Sequence, residues 1–557
     1  MQLGLDSEKR DCAVFIIGAD PCGLMLAIEL GRRGVSTIVL EDKFAPSRFP
    51  SANATQARTM EHYRRLGFAD KVRARGLPSD YPTDIAYFTR YAKYELARFR
   101  LPSARQAGQI IKTLTGSWSA AELPHRVSQI YVEDLLRGQV ASLPLITLRT
   151  GWRVIAMRDA GSSVEVDAER SDSRERSTFR AAYAFGADGG SSSTRKVLGI
   201  GYVGESGVVR NFIGGRMFAI HIRSSRLYDV IPHQRAWMYW AVNRERRGLM
   251  PSVNGYDEFT FHTQLKADEK LEQINDSQAK AMFQVVLGAN LDVEIVARST
   301  WHAGYTLVAE KFQRGRIFLG GDAAHLFTPT GGLGYNTAVE DAVNLGWKLA
   351  AVLKGWGGPG LLSSYETERR AIARRNTAYA RAFADSVGLF VPPAELEDEG
   401  PAGEAARERT AEHFNNHARF EFNIPGITFG GRYDGSPIIV GDGSMPPPDR
   451  PNDYVPTASP GGRPPHLWLA DGRSLYDTLG FEFTLLQLGT KPGEAAPFLT
   501  AAQALGMPLT VVTLISEEAR DLYQADLVLI RPDQIVAWRG NSSAEASNVL
   551  HQAAGHL

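Results

Sequence analysis

The chain has 557 residues, in which 62 lysines and arginines balance 62 aspartates and glutamates. This length allows two to four domains, and the even charge balance gives no reason to expect binding to nucleic acid or to an anionic membrane. No apolar run approaches 18 residues, and the first ten residues are unlike a signal peptide. The two cysteines, Cys12 and Cys22, indicate neither a disulfide framework nor a metal site, so a reducing cytoplasm is the expected location.

The first ordered pattern is a buried strand, a glycine turn from Gly18 to Gly23, a helical stretch and a second buried strand that ends in Glu41. This order is typical of a dinucleotide-binding βαβ unit, in which the helix N-terminus binds the pyrophosphate and the acidic residue binds a ribose. Asp20 stands where the pattern expects its middle glycine, so the motif is incomplete. An α/β fold that uses such a turn without a nucleotide is the alternative.

Arg58 starts the next predicted helix, where a cation can meet a phosphate or a carboxylate, although a lone arginine is more often a solvated surface charge. Two short strands near 84–110 are typical of a hairpin. An amphipathic helix expected at 127–136 carries Gln129 on its polar side.

A strand that ends at Asp188 and Gly189 is followed by a serine run, which caps a helix carrying Arg195. An ordinary strand, polar turn and capped helix explain this pattern as well as a ligand site does. Short β-like runs then alternate with polar turns over 201–300 and predict a mostly antiparallel sheet that forms the wall of a pocket. Its clustered aromatic residues, for which a place in the core is the ordinary alternative, are Trp237, Tyr239 and Trp240.

A second glycine-rich pattern follows a buried strand that ends in Asp322, whose carboxylate can bond a ribitol or ribose hydroxyl. Pro329 and three glycines then form a loop with free N–H groups, and a long helix is expected to start near Thr337. Free amides and the positive end of a helix favour an anionic or electron-rich group. His325 is a candidate base, although a histidine at a strand end is more often structural.

The charged helix expected at 361–383 is most simply a solvated face. The stretch 391–460 is rich in proline, glycine and charge and is predicted to be a linker, with some helix at 404–414. Residues from about 461 onward are typical of a separate small α/β unit. This unit contains no cysteine, which excludes thiol–disulfide exchange there.

The three patterns, in this order, resemble the single-component FAD-dependent aromatic hydroxylases, which include phenol hydroxylase, hydroxybiphenyl monooxygenase and the hydroxyphenylpropionate hydroxylases. The turn that ends with Glu41 resembles their first FAD motif, the Asp188-Gly189 stretch their Asp-Gly motif, and 315–336 their second FAD motif. The tail, with Arg463-Pro-Pro-His466 and Asp471-Gly472, resembles the thioredoxin-like C-terminal domain of the larger members. The likeness covers nearly the whole chain.

The resemblance implies an α/β fold with a Rossmann-like FAD-binding domain, an interleaved, mostly antiparallel β substrate domain and a C-terminal thioredoxin-like domain. The last domain is then expected to be structural or to lie at a subunit contact, which allows a homodimer. The expected division is an FAD-binding domain at 11–200 with some substrate-domain strands near 84–110, a substrate-binding domain at 201–300, the second part of the FAD-binding domain at 301–390, the linker at 391–460 and the thioredoxin-like domain at 461–557.

The same resemblance implies a monooxygenase in which NADPH or NADH reduces FAD. Reduced FAD then forms a C4a-hydroperoxide with O₂, and its terminal oxygen attacks a phenolic or related aromatic ring. The flavin carries the chemistry, while the protein supplies placement, electrostatics and exclusion of water. The implied partners are a small aromatic substrate and O₂, with no nucleic acid, membrane or metal.

Carried over to this chain, the resemblance places Asp322 on the ribitol, Glu41 on the adenosine ribose and Arg58 with Gln129 along the FAD chain. The loop from Pro329 to Asn336 is expected to lie against the isoalloxazine. The residues expected to bind FAD are Gly18, Gly23, Glu41, Asp42, Arg58, Gln129, Asp188, Asp322, Pro329, Gly332, Leu333, Gly334, Tyr335 and Asn336.

The catalytic base is not assigned by the motifs. Members of the family often place a polar residue just ahead of the helix that starts near Arg58, but this chain offers Asn53 and Gln56 there, and an amide cannot act as a base. The remaining candidates come from the pocket wall and from the strand that leads to Asp322, and each is as easily core or wall. They are Tyr239, His302 and Tyr305.

Two other functions remain open. One is Baeyer–Villiger insertion or tailoring of a polycyclic natural product on the same scaffold, and the other is a flavin-binding protein without turnover, which the incomplete glycine motif favours. If FAD binds, the Asp20 side chain is expected to turn away from the pyrophosphate or to be offset by a nearby cation.

Overall fold

The computed structural model describes residues 10–489 and 493–556. Its strands and helices, numbered in chain order, begin with a parallel α/β unit. Up to residue 200 they are β1 Cys12–Ile17, α1 Pro21–Arg32, β2 Thr37–Glu41, β3 Ala54–Thr55, α2 Ala57–Arg65, α3 Ala69–Arg73, β4 Ile85–Phe88, β5 Glu95–Phe99, α4 Ala104–Ile110, β6 His125–Arg126, α5 Gln129–Ala141, β7 Ile146–Thr150, β8 Trp152–Asp159, β9 Val164–Arg170, β10 Arg176–Gly186 and α6 Ser193–Val197.

The middle of the chain is mostly β structure until two long helices close it. Its elements are β11 Tyr202–Glu205, β12 Gly215–Arg223, α7 Leu227–Val230, β13 Met238–Ala241, β14 Gly248–Pro251, β15 Glu258–Gln264, α8 Asp276–Leu287, β16 Glu294–Ala303, β17 Thr306–Ala309, β18 Gln313–Arg314, β19 Ile317–Leu319, β20 His325–Leu326, α9 Leu333–Leu353 and α10 Gly360–Gly388.

The remaining elements are two helices and then a small α/β unit. They are α11 Pro401–Phe422, α12 Pro425–Phe429, β21 Phe483–Gln487, α13 Ala496–Leu505, β22 Leu509–Thr513, α14 Glu517–Tyr523, β23 Leu527–Ile530, β24 Val536–Gly540 and α15 Ala546–Ala553. None of the helices in the described residues is long and apolar enough to cross a membrane.

Five parallel strands form the centre of the largest sheet, in the order β19, β10, β1, β2 and β7. β1 and β2 are almost wholly buried, which explains their continuous apolar sequences. β9 pairs antiparallel with β10, and β8 with β9. The carboxyl ends of the parallel strands share one edge, which is where ligands bind in sheets of this kind.

The second sheet has seven strands in the order β16, β12, β15, β14, β13, β4 and β5. All neighbours are antiparallel except β13 and β4. β4 and β5 come from the stretch near 84–110 and join the far edge of this sheet, so the two parts of the chain are interleaved.

The C-terminal sheet runs in the order β22, β21, β23 and β24, with β21 and β22 parallel and the other pairs antiparallel. Together the three sheets confirm the fold class expected from the sequence, an α/β protein with a mainly antiparallel second layer and a small mixed C-terminal unit.

Several element ends differ from the sequence-based expectation. Helix α9 starts at Leu333, four residues before the expected Thr337, so the end of the glycine loop forms its first turn. Helix α11, in the stretch 391–460 that was expected to be a linker, spans 22 residues and not only 404–414. Its Phe414 stacks on Tyr87 with ring centroids 4.7 Å apart, so aromatic packing fixes this stretch against the second sheet.

A buried ion cluster fixes the C-terminal unit on the first domain. Arg531 donates to both carboxylate oxygens of Glu368 on α10, at 2.6 and 2.9 Å, and Lys348 on α9 lies 2.6 Å from the same carboxylate. The side chains of all three residues are fully buried. Burial raises the pKa of Glu368, but the opposing effect of Arg531 and Lys348 is larger, so the pKa is well below its usual range. Glu368 therefore stays ionised and, together with Asp533, which also pairs with Arg531, neutralises two buried cations.

Glu368→Ala is expected to destabilise the protein by roughly 3–5 kcal/mol, because it leaves the buried Lys348 without its ion-pair partner and Arg531 with Asp533 alone. The shift in the urea unfolding midpoint measures this loss. Because the folded-state pKa is lowered, the stabilising effect is present above the usual carboxyl pKa and is lost as the pH falls below it. The exposed pair of Asp80 and Arg105 provides the control, since Asp80→Ala should change the midpoint little. Equal shifts in the two variants would contradict a structural role for the cluster.

Candidate cofactor and substrate site

The turn after β1 makes contacts so close that both of its outer glycines are required. A Cβ on Gly18, whose φ is +103°, would lie 2.2 Å from the carbonyl oxygen of Ala187 at the end of β10. A Cβ on Gly23 would lie 2.1 Å from the carbonyl oxygen of Gly18. These glycines bring the start of α1 against the ends of β1 and β10, as a nucleotide-binding turn requires.

Asp20 caps helix α1. Its carboxylate accepts the Gly23 N–H at 2.8 Å, so it occupies one of the free donors of the helix N-terminus. Burial raises the pKa of Asp20 to about 8, although the Gly23 hydrogen bond opposes the rise. Neighbouring carboxylates add to the rise, namely Asp322, Glu133 and Glu41. The side chain thus turns back on its own helix, and the neighbours that raise its pKa are acids.

Glu41 lies at the carboxyl end of β2 and bonds to the glycine turn. It accepts the Ala19 N–H at 2.8 Å and the Lys43 N–H at 3.1 Å. Asp42, the next residue, is exposed. On α5, Gln129 donates to Glu133 at 2.7 Å. These acidic and amide groups surround the open end of α1, where an adenosine ribose and a pyrophosphate would lie.

Asp188 follows β10 and accepts hydrogen bonds from the start of the short helix α6, whose N-cap residue is Ser192. Its carboxylate accepts from the hydroxyls of Ser192 and Ser193, at 2.5 and 2.9 Å, and from the Thr194 N–H at 2.9 Å. Arg195 stacks on Tyr202, with its guanidinium carbon 3.8 Å from the ring centroid. This stretch is built as a capped helix, and its acid is satisfied within the protein.

The turn after β19 is held from behind by a buried carboxylate. Asp341 on α9 accepts the Gly321 N–H at 3.1 Å, lies 2.7 Å from His325 Nε2 and accepts from Arg369 Nε at 2.8 Å. His325 is fully buried in this network, so it is structural. The carboxylate of Asp322, by contrast, is exposed and has no hydrogen-bond partner within residues 10–489 and 493–556.

The glycine loop and the first turn of α9 are fixed by polar side chains from two other segments. Gly331 and Gly332 have φ values of +62° and +64°, which only glycine adopts without strain. The Gly331 N–H donates to Glu421 on α11 at 2.8 Å, and its carbonyl accepts from Gln56 at 3.0 Å. Asn336 accepts the Gln56 N–H at 2.9 Å. The loop is therefore positioned before any ligand binds.

Arg58 does not reach this site. Its guanidinium donates to Glu61 at 2.9 Å and to the carbonyl oxygens of Asp533 and Gln534, at 2.8 and 3.1 Å. Arg463 also bonds to Glu61. Arg58 was expected to bind FAD. It is instead buried against the C-terminal unit, whose backbone carbonyls accept its hydrogen bonds.

A cavity of about 300 Å³ lies between the glycine loop and the second sheet. This volume is at the lower end of the range of small-molecule sites. Its aromatic lining residues are Trp237, Trp240, Trp301, Phe327, Tyr335 and Phe422. Its polar lining residues are Ser51, Asn53, Arg126, His262, Asp322 and Glu421. Pro329, Gly332, Leu333 and Gly334 form the facing wall.

The three residues proposed as catalytic from the sequence do not line the cavity. Side chains alternate along β13, so Met238 and Trp240 face the cavity while Tyr239 faces the other side of the sheet. There the Tyr239 hydroxyl accepts the Ala236 N–H at 2.9 Å. His302 is exposed, opposite to its lining neighbour Trp301, and Tyr305 is half-buried outside the cavity.

His262 on β15 is the cavity histidine that sequence reasoning missed. Its Nδ1 accepts the indole N–H of Trp301 at 3.3 Å. Burial lowers the pKa of His262 to about 4, so the ring is neutral at physiological pH. A neutral imidazole with an accepting Nδ1 carries its proton on Nε2, which makes His262 a donor. The sequence signal that could have identified His262 is the alternation of side chains between the two faces of β15, as in β13.

These features fit FAD. The glycine turn leaves no room for a Cβ, the N-terminus of α9 has no side-chain cap, and the Asp322 carboxylate is unpaired among the described residues. A dinucleotide on the carboxyl edge of β1, β2, β10 and β19 would use all three. Asp20 is the feature that fits less well, because it takes the Gly23 donor. The fold and the site together define a flavin-binding protein with a substrate cavity in front of the glycine loop.

Comparison with known proteins identifies the family. A family model described as an FAD binding domain matches residues 11–380, and one described as the C-terminal domain of aromatic-ring hydroxylases matches residues 457–557. The chain belongs to the FAD-dependent aromatic-ring hydroxylases. This confirms the resemblance seen in its three sequence motifs.

Similar proteins span nearly the whole chain. The FAD-dependent monooxygenase apdD of Emericella nidulans is 31% identical over 97% of this chain and 90% of its own length. The aklavinone 12-hydroxylase RdmE of Streptomyces purpurascens is 30% identical over 98% of both chains. The solved structure of RebC with bound 7-carboxy-K252c has a TM-score of 0.88 at 31% identity and covers 98% of this chain and 99% of RebC.

The protein is thus an FAD-dependent monooxygenase that hydroxylates an aromatic substrate, with NAD(P)H as the co-substrate. FAD is its cofactor. Bound FAD supplies the redox chemistry, and the protein residues described above position it and enclose the substrate.

Asp20→Gly is expected to lower the FAD dissociation constant about threefold to tenfold, because it frees the Gly23 N–H for a phosphate oxygen. Equilibrium titration of the apoprotein with FAD measures this. Asp20→Asn keeps a capping oxygen but removes the charge, so it separates the two effects. Equal affinity of all three proteins would show that Asp20 is a tolerated replacement.

The pH dependence of FAD binding gives a second check. Asp20 loses its proton as the pH rises through about 8, and the new charge would face the pyrophosphate. The FAD dissociation constant of the wild type should therefore rise above pH 8, while that of Asp20→Asn should rise less. Parallel curves for the two proteins would assign the pH dependence to other groups.

Proposed function

We propose that the protein uses O₂ to hydroxylate a flat phenolic ring held between the tryptophans of the second sheet and the glycine loop. The observation that supports this proposal is the cavity of about 300 Å³, which has indole rings on one wall and the start of α9 on the other. Aromatic side chains favour stacked or edge-on contact with an aromatic ligand. The positive end of α9 favours an electron-rich or anionic group on the opposite face.

His262 is the proposed orienting group for the substrate hydroxyl. Its Nε2–H is the donor left free after Nδ1 accepts from Trp301. A hydrogen bond from Nε2 to the phenolic oxygen would favour the ionised phenol, whose ring is richer in electrons. Because the pKa of His262 is lowered to about 4, this donor is neutral over the whole physiological range.

We further propose that the carboxyl edge of the central sheet holds FAD as the family resemblance implies. Gly18, Gly23 and Glu41 would contact the adenosine and pyrophosphate part, with Asp42 and Gln129 at its margin. Asp322 would bond the ribitol through its free carboxylate. Pro329, Gly332, Leu333, Gly334 and Tyr335 would lie against the flavin ring, while Asn336 and Asp188 act by fixing the backbone around it.

A polycyclic substrate is the second candidate. One relative is named an aklavinone 12-hydroxylase, two are named putative polyketide hydroxylases, and a solved relative with a TM-score of 0.83 holds FAD and aklavinone. In this chain, a second apolar cavity adjoins the first, which favours a substrate longer than one ring. Product mass and regiochemistry would separate hydroxylation from ring insertion.

The proposed function is tested with the purified holoenzyme and a panel of phenol, 2-naphthol and 1,8-dihydroxyanthraquinone. The expected result is substrate-stimulated NAD(P)H oxidation with matching oxygen uptake and a product heavier by one oxygen atom. Bound flavin with no stimulated NAD(P)H oxidation by any member would contradict a flat phenolic substrate of this kind.

His262→Phe is expected to lower kcat/KM for the best phenol by about tenfold to a hundredfold, because the substrate oxygen loses a buried donor. His262→Asn, which retains an N–H donor, should recover part of the loss. Stimulated NAD(P)H oxidation and product yield are measured together, so that uncoupled oxidation is detected. Unchanged kcat/KM in His262→Phe would remove this residue from the mechanism.

A further inference from the structure

Arg126 stands between two cavities. It lies on β6, where it pairs with Ala54 of β3, and its side chain lines the cavity in front of the glycine loop. It also lines a second cavity of about 210 Å³, here named the apolar chamber. Phe422 of α11 also lines both cavities. The two side chains therefore form the partition between them.

The apolar chamber is bounded by helix α4 and the segments on either side of it. Its walls include Leu77, Leu101, Ala104, Ala107, Leu114 and Trp118. Aliphatic and aromatic groups predominate, so the chamber suits the apolar part of a ligand and not its charged part.

The guanidinium of Arg126 has no ion pair and no hydrogen bond to any residue of 10–489 or 493–556. Its described contact is with the ring of Trp237, whose centroid lies 3.9 Å from the guanidinium carbon. Burial lowers the pKa of Arg126 to about 10, which reflects the cost of a cation away from water. A cation–π contact compensates part of that cost, and an anion would compensate the rest.

The cavity in front of the glycine loop, here named the flavin-side cavity, has two further charged side chains, Glu421 and Asp322. Glu421 bonds to the Gly331 N–H, and its second oxygen lies 2.9 Å from His417. Asp322 lines the same cavity and forms no ion pair with Arg126. Arg126 is the cation that lines this cavity among the described residues, and it faces the point where the two spaces meet.

We propose that Arg126 binds an anionic group, a carboxylate or an ionised hydroxyl, on the substrate, and that the apolar chamber takes the part of the substrate that lies beyond it. The reacting ring would lie by the glycine loop, and the anion would meet the guanidinium in a bidentate contact. The substrate class is thus an extended aromatic acid. The inference rests on the proposed function only in placing a substrate in the flavin-side cavity.

Binding is measured by perturbation of the flavin absorbance of the holoenzyme, without turnover. The charge is tested with 6-hydroxy-2-naphthoate and its neutral counterpart 2-naphthol. The wild type should bind the carboxylate at least tenfold more tightly. Arg126→Met should abolish this preference with little change for 2-naphthol, and Arg126→Lys should retain part of it, since it keeps the charge but not the bidentate geometry.

Arg105→Met is the matched control. Arg105 lies on α4 beside the chamber, but its side chain is exposed and pairs with Asp80, so the variant removes the same charge without opening either cavity. The carboxylate preference should be unchanged. The chamber is tested with Ala104→Phe, which fills it from a half-buried helix position. This variant should weaken 4′-hydroxybiphenyl-2-carboxylate, whose second ring extends beyond its carboxylate, at least tenfold and 4-hydroxybenzoate far less.

Equal affinity of the wild type for 6-hydroxy-2-naphthoate and 2-naphthol, or a preference that survives in Arg126→Met, would overturn the proposal. An Arg126→Met protein that instead loses FAD affinity would assign the cation to the cofactor and would also overturn it. Carboxylate preference without stimulated NAD(P)H oxidation would leave this inference standing and refute the proposed hydroxylation, so the two failures are distinguishable.

Discussion

The carboxylate of Asp341 joins the parts of the chain that build the site. It holds the Gly321 N–H after β19, the ring of His325 and the guanidinium of Arg369. Burial raises the pKa of Asp341, but His325 and Arg369 outweigh it, and the pKa is lowered. An ionised acid at this position fixes the turn that presents Asp322 and also joins α9 to α10. The glycine loop precedes α9 and depends on the same anchor.

Around this anchor, the protein satisfies much of its own polar chemistry before a ligand binds. Asn336, Gln56 and Glu421 hold the glycine loop, and Asp188 accepts hydrogen bonds from the start of helix α6. Three groups that line the cavity and have no hydrogen-bond partner among the described residues are therefore informative: the Asp322 carboxylate, the His262 Nε2–H and the Arg126 guanidinium. Preorganised donors and charges of this kind cost no rearrangement when charge develops on a substrate.

Tertiary contacts also decided what some residues bind, even where the sequence had predicted their secondary structure correctly. Arg58 begins its helix as expected, yet it bonds to Glu61 on the same helix and to the carbonyl oxygen of Asp533 in the C-terminal unit. The stretch 391–460 is rich in proline and glycine, but its helix α11 supplies Phe422 and Glu421 to the substrate cavity. Composition describes local preference and does not reveal which surface a segment covers.

The sequence by itself determined the first strand–turn–helix–strand unit with its glycine turn, the Asp322 turn and the family, because these depend on local spacing and on apolar runs. It also indicated that aromatic residues of β13 form a pocket wall. Only the tertiary structure decided that Trp240 faces the cavity while Tyr239 is in the core, since this depends on which face of the sheet is covered. His262 and Arg126 likewise became site residues only when β15 and β6, far apart in sequence, were brought to one cavity.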